Sequence, residues 1–280
     1  MTNLIRTLYL SIVKMVDHDG VEHSGYMSFM LLVSIFPFFI FLLAFTSFLG
    51  ASELGENFIA LAIENMPKHS VDSIKTRMSE LMKDPPQGLL TLAVLGTIWT
   101  SSSFVECLRT ILNRVYEVKS PPNYIWRRLL SVFQFLIISF IAILATFIFI
   151  ALPISFSKVS EFITFLEGYE TTMNIVRYTM ICSSLFLSVF FLYYLIPNTK
   201  LSLLEILPGS ILTVLLWMAS GYLLSKYIVY YHQLSIIYGS LGSIILTLMF
   251  FYIMNMIFII GAEFNYLLKQ NLLNNIHSRH

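Results

Sequence analysis

Glu106 and Arg109 lie three residues apart in a polar series, Trp99, Ser102, Ser103, Glu106, Thr110 and Asn113, that recurs at three- and four-residue intervals. On a helix continued to about Val118 this spacing gathers one polar stripe. An acid and a cation one turn apart can pair, and in apolar surroundings the same stripe can wall a hydrophilic cavity. A second set comprises Asn255, then Glu263 and Asn265 after Gly261-Ala262. Asn255 and Glu263 are eight residues apart and so share roughly one helical face. Neither set suits metal-assisted hydrolysis, which needs several carboxylates or histidines converging on one site. His18 and His23 flank Asp19 as single residues on a surface segment, and Cys107 and Cys182 have no nearby His, so no metal is expected. Without a Gly-x-x-x-x-Gly-Lys-[Ser/Thr] loop, no nucleotide or other cofactor is expected either.

The elements that must carry these residues are long apolar stretches. Residues 26–50 contain no Lys, Arg, Asp, Glu or His, and further stretches cover 88–105, 129–154, 178–196, 206–230 and 236–260. A hydrocarbon core of about 30 Å needs roughly 20 helical residues. With 57% hydrophobic and 12% charged residues and a mean hydropathy of +0.77, the expected fold is all-α, a polytopic membrane bundle of six transmembrane helices forming one integral domain over 1–280. The first stretch is too long and begins too late for a cleaved signal peptide.

Positive charge orients the bundle, because cytoplasmic loops retain Lys and Arg. With both termini inside, ten cations fall on internal segments and six on external ones, Lys226 lying near the outer end of the fifth span. The internal 106–128 connection alone has Arg109, Arg114, Lys119, Arg127 and Arg128. The long external loop 51–87 shows Leu54, Phe58 and Leu61, then Val71, Ile74, Met78 and Leu81, at helical spacing around Pro67. Two short amphipathic helices are expected there, lying on the leaflet or covering a pathway. Residues 155–177, with Phe156, Phe162, Phe165 and Tyr169 among acids, are expected at the interface.

Backbone punctuation falls at consistent places. Pro37 interrupts the first span and is expected to kink it. Pro197-Asn198 closes the fourth and Pro208-Gly209 opens the fifth. Gly239 and Gly242 begin the sixth, where a neighbouring backbone can approach. Packing leads as the reading of all these residues. It also leads for the polar stripe, where interhelical hydrogen bonds are worth about 0.6 to 2 kcal/mol each. For Glu106 or Glu263 taken singly, an interfacial carboxylate is the leading reading. The pairing of both acids with Asn113 and Asn265 at one cytoplasmic level favours a shared polar site. Net charge is only +1 and topology explains the basic loop, so no nucleic-acid partner is expected.

Several short motifs, in order, sit at span boundaries: Asp19-Gly20, Val33-Ser34-Ile35-Phe36-Pro37, Trp99 with Ser101, Leu112-Asn113-Arg114 before Tyr116, Leu195-Ile196-Pro197-Asn198, Leu207-Pro208-Gly209 with Trp217, Tyr238-Gly239-Ser240-Leu241-Gly242, and Gly261-Ala262-Glu263-Phe264-Asn265. Across most of its length the chain resembles the YihY/BrkB family of bacterial inner-membrane proteins, once mislabelled as ribonuclease BN. The first motif departs from the family's Leu-Ser-x-Phe-Pro only by Val33. The resemblance implies six inner-membrane helices and the export or flipping of envelope lipids or related amphiphiles. The expectations are therefore a non-enzymatic transporter whose partners are the lipid bilayer and an amphiphilic or lipid-like substrate, or else a scaffold subunit of an envelope complex. A homo-oligomer is compatible with either.

Overall fold

The computed structural model describes residues 2–34, 87–119, 122–138, 140, 169–230 and 240–277. Seven helices occur among them: α1 (Thr2–Asp17), α2 (20–34), α3 (Gln87–Val115), α4 (124–138), α5 (Tyr169–Leu195), α6 (Leu203–Tyr230) and α7 (Ser240–His277). The described residues are otherwise turns and irregular backbone, with no strand. Pro37, Gly239, most of the first and third apolar stretches and the loop helices expected over 51–87 lie outside the described residues. Gly242 is described, and it is buried near the start of α7.

Several helices outrun the apolar stretches inside them. α3 continues past Val105 to Val115, so Glu106 to Val115 is helix and not connecting loop. Its apolar period persists there, with Leu108, Ile111, Leu112 and Val115 buried, although charged residues lower the hydropathy. The helix stops short of Val118. Val118 N–H bonds Asn113 O at 2.8 Å and Glu117 N–H bonds Arg114 O at 3.1 Å, with Glu117 in the left-handed region at φ 51°. That is a Schellman ending. α5 starts at Tyr169 instead of residue 178, and α7 continues beyond Ile260 to His277. α1 has no counterpart among the expected spans.

α6 begins at Leu203, so Pro208 lies inside it and does not open it. Glu205 supports this start as in half of a capping box: the Ser202 N–H donates to its Oε2 at 3.1 Å, while the Glu205 N–H bonds the Ser202 carbonyl at 3.0 Å, one turn before the proline.

Two helices, within Leu203–Tyr227 and Ile244–Asn271, are long and apolar enough to cross a membrane. The first of them turns much of its apolar surface outward. On α6, Ser210 and Thr213 are buried while Leu204, Leu207, Ile211, Leu215, Met218 and Tyr222 form an exposed row at helical spacing. In water, so continuous an apolar surface would drive association; against lipid it costs nothing, and polar groups must turn inward instead.

The chain divides into two compact units, one of Met1–Leu32, Ser102–Gln134 and Ile175–His280, the other of Val33–Ser101 and Phe135–Asn174. Within the second, the Thr100 hydroxyl donates to Gly96 O at 2.9 Å along α3. Within the first, α6 and α7 pack closely at Gly209 and Gly261. A Cβ on Gly209 would strike Gly261 O and the Asn265 amide, and one on Gly261 would strike the Thr213 and Tyr193 hydroxyls. Small residues here permit the backbone approach that membrane helix pairs use. Gly209→Ala is expected to destabilise the detergent-solubilised protein by about 1–3 kcal/mol through overpacking, measured as a lowered thermal unfolding midpoint; an unchanged midpoint would show that the helices can separate freely at this point.

Candidate functional site

All the polar residues considered below belong to the first compact unit, except Trp99. Trp99 is exposed on α3, in the second unit. Ser102 is fully buried.

Arg109 gathers the largest set of partners. Its side chain is fully buried on α3, where Nη1 donates to Glu106 Oε2 (2.8 Å), Arg127 O (2.7 Å) and Ser131 Oγ (2.5 Å), Nη2 donates to Gln134 Oε1, and Nε donates to Ile196 O (3.3 Å). The rigid fork of the guanidinium, with its five N–H donors, suits this spread of acceptors. Gln134 Nε2 in turn donates to Leu195 O at 2.7 Å. The final carbonyls of α5 have no helical N–H to receive, so Arg109 and Gln134 supply donors where the helix dipole is negative. Glu106 also accepts the Ser131 hydroxyl at 2.9 Å and lies 3.4 Å from Arg127 Nε. Arg128 donates to Ser103 Oγ at 3.0 Å.

One turn further along α3, Asn113 reads the same bend. Its Nδ2 donates to Asn198 Oδ1 at 3.0 Å, and it accepts the Asn198 N–H at 2.8 Å. Pro197 prevents α5 from continuing, and the freed backbone is paired by α3.

On α7 two faces separate. Toward α6, Asn265 accepts the Gly209 N–H at 2.6 Å and donates to Ile206 O at 3.1 Å. The Trp217 indole donates to Met254 O at 2.9 Å, and Tyr193 of α5 donates to Phe258 O at 2.6 Å while sharing a 2.7 Å hydrogen bond with Thr213. Lys269 pairs with Glu205 at 3.0 Å. Toward the N-terminal helices, Asn255 donates to Ser28 Oγ at 3.1 Å on α2. Glu263 Oε1 lies 2.5 Å from His18 Nδ1 in the α1–α2 turn, and Asn271 donates to Thr7 Oγ1 at 3.3 Å on α1. Arg114 closes that turn from α3, bonding His18 O at 3.0 Å and the Asp19 carboxylate.

The two acids thus have different surroundings. Each has one carboxylate oxygen without a hydrogen bond, but Glu106 Oε1 lies 3.4 Å from Arg127 Nε in a cation-rich network, whereas Glu263 is fully buried and its Oε1 meets only His18. The Tyr116 hydroxyl, also buried, comes close to the Asn265 amide without hydrogen-bond geometry, and burial pushes its pKa well above the ordinary phenol value. Among the described residues no hydrogen bond joins the Glu106 and Glu263 clusters. No group of three or more His, Cys, Asp or Glu able to hold a metal occurs among the described residues.

His18, Ser131, Gln134, Tyr193, Asn198 and Trp217 join these clusters without having been singled out as site residues. Ser131 and Gln134 left a signal, two polar residues three apart in an apolar run. His18 left none, because its partner is 245 residues away.

The family described as Virulence factor BrkB matches residues 11–280. "Putative ribonuclease-like protein YfkH" of Bacillus subtilis is 27% identical over 259 residues, covering 90% of this chain and 91% of that protein. A "UPF0761 membrane protein" of Vibrio campbellii is 28% identical over 262 residues, covering 90% of this chain and 79% of its own length. No solved structure matches the chain.

Removing the guanidinium should break the α3–α4–α5 junction. Arg109→Ala is expected to cost about 3–5 kcal/mol, the range for stranding a buried charge partner, with Arg109→Lys rescuing little because its three donors cannot reach the same acceptors. Unfolding midpoints of purified variants check this; a stable Arg109→Ala protein would remove the network from the account of the fold.

Proposed function

The chain belongs to the BrkB family of membrane proteins, and from that premise we propose that it is a six-span protein of the bacterial inner membrane, both termini cytoplasmic, that moves an amphiphilic or lipid-like envelope substrate. The observation that carries this reading is Glu263, an ionisable side chain buried on an apolar helix with one carboxylate oxygen unpartnered. Buried polar atoms are nearly always paired, so an unpaired one needs a reason, and ionisable groups inside membrane helices mark pathways and relays more often than packing. His18, hydrogen-bonded to it, and the nearby Tyr116 hydroxyl are candidate polar contacts for a headgroup or a proton. Charge asymmetry supports the orientation. Exposed Tyr124 and Trp126 at the start of α4, beside Arg127 and Arg128, fit an aromatic belt at the cytoplasmic interface.

A second reading, a non-catalytic scaffold in an envelope complex, draws on the Arg109 network, whose donors are spent on holding helices together. The two readings differ in proteoliposomes. With fluorescent phospholipid as probe, the wild-type protein is expected to accelerate translocation and Glu263→Gln, which keeps a hydrogen-bonding partner for His18, to fall to the protein-free background at equal reconstitution and unchanged unfolding midpoint. Equal translocation by both proteins would contradict a role for Glu263. Background rates in both, with a stoichiometric partner recovered from detergent extracts, would favour the scaffold.

A further inference from the structure

α1 repeats the inside-out pattern of α6 on a smaller scale. Its buried row is Thr7, Ser11 and Met15, at four-residue spacing, and two contacts tie this region to α7: Thr7 to Asn271 and His18, in the following turn, to Glu263. The row Ile5, Tyr9, Ile12 and Val16, joined by Val13, is exposed, with Ile5 65% and Tyr9 66% accessible. Arg6 and Asp17 are exposed to one side of this row, whereas Lys14 lies across the helix from it, next to the buried row and close enough to Glu263 to act on its charge. Left in water, the apolar row would forfeit the favourable free energy of burial.

We infer that this face of α1 docks on the membrane surface, seating its apolar row at the headgroup–acyl boundary with Arg6 at its edge toward anionic phospholipid and Lys14 turned to water. Three observations select lipid as the occupant. The α7 partners, Glu263 and Asn271, belong to the closing turns of the apolar segment Ile244–Asn271, which places α1 at the level where a span meets headgroups. The polar-in, apolar-out arrangement is the one α6 shows. Arg6, at the edge of the apolar row, complements an anionic headgroup. The turn fixes the face: Asp19, at φ 57°, reverses the chain, and Gly20 packs against Met15 so closely that a Cβ would strike it. This inference depends on α7 being a membrane span and not on transport.

The test uses the full chain in proteoliposomes of phosphatidylcholine with phosphatidylglycerol, with Cys107 and Cys182 replaced and an environment-sensitive fluorophore on Ile12→Cys or Lys14→Cys. Lipids bearing a nitroxide high on the acyl chain are expected to quench the Ile12 label at least about twofold more than the Lys14 label, as an interfacial helix requires. Aqueous iodide should show the reverse order. Adding Arg6→Gln to the Ile12-labelled protein should weaken lipid quenching and reduce its dependence on phosphatidylglycerol. Equal iodide access at both sites with no lipid quenching would overturn the inference, as would self-quenching at Ile12 that scales with protein density and marks contact with a second copy.

Discussion

A guanidinium with no access to water anchors the structure around the end of α5. Arg109 cannot shed its charge, so each of its donors has to find oxygen, and the acceptors it finds lie on two other segments and on its own helix: Arg127, Ser131 and Gln134 on α4, Ile196 after α5, and Glu106 on α3. The end of α5 needs these donors as much as Arg109 needs acceptors. Pro197 stops the helix, and in an apolar medium its last carbonyls have no solvent to turn to. A single residue therefore meets two requirements, neutralising an acid and closing a helix, and Asn113 completes the bend one turn away.

The same rule organises α7. Its α6 face is built for close approach, with Gly261 against Gly209 and with Asn265, Trp217 and Tyr193 pairing backbone groups across helices. The other face receives α1, α2 and their connecting turn through Asn271, Asn255 and Glu263. Most of these polar contacts are closed pairs, which hold helices in register where the hydrophobic effect supplies no drive between them. Glu263 departs from that pattern by leaving one oxygen unpaired.

The helical class and the approximate placement of the long helices were legible from hydropathy alone. Their ends were not. Val115 and Leu203 are set by a Schellman turn and by the Glu205 cap on Ser202, neither of which changes mean hydropathy much. α1 escaped notice because its apolar row is too short to resemble a span and its buried row is polar. Glu106, Arg109, Asn113, Glu263 and Asn265 were visible as polar residues in or beside apolar runs, and the local pair Glu106–Arg109 followed from spacing. Their remaining partners did not, since His18, Asn198 and Gly209 lie between 56 and 245 residues from the groups they meet. Periodicity is silent about contacts at that range.

The dependence of the α5 terminus on Arg109 is most directly tested by hydrogen–deuterium exchange in the Arg109→Lys protein, comparing the peptide that contains Ile196 and Asn198 with peptides from α6 and α7. The account predicts that the α5 end loses its protection while α6 and α7 keep theirs. Unchanged protection at Ile196 and Asn198 would contradict it, because the bend would then be held without the guanidinium.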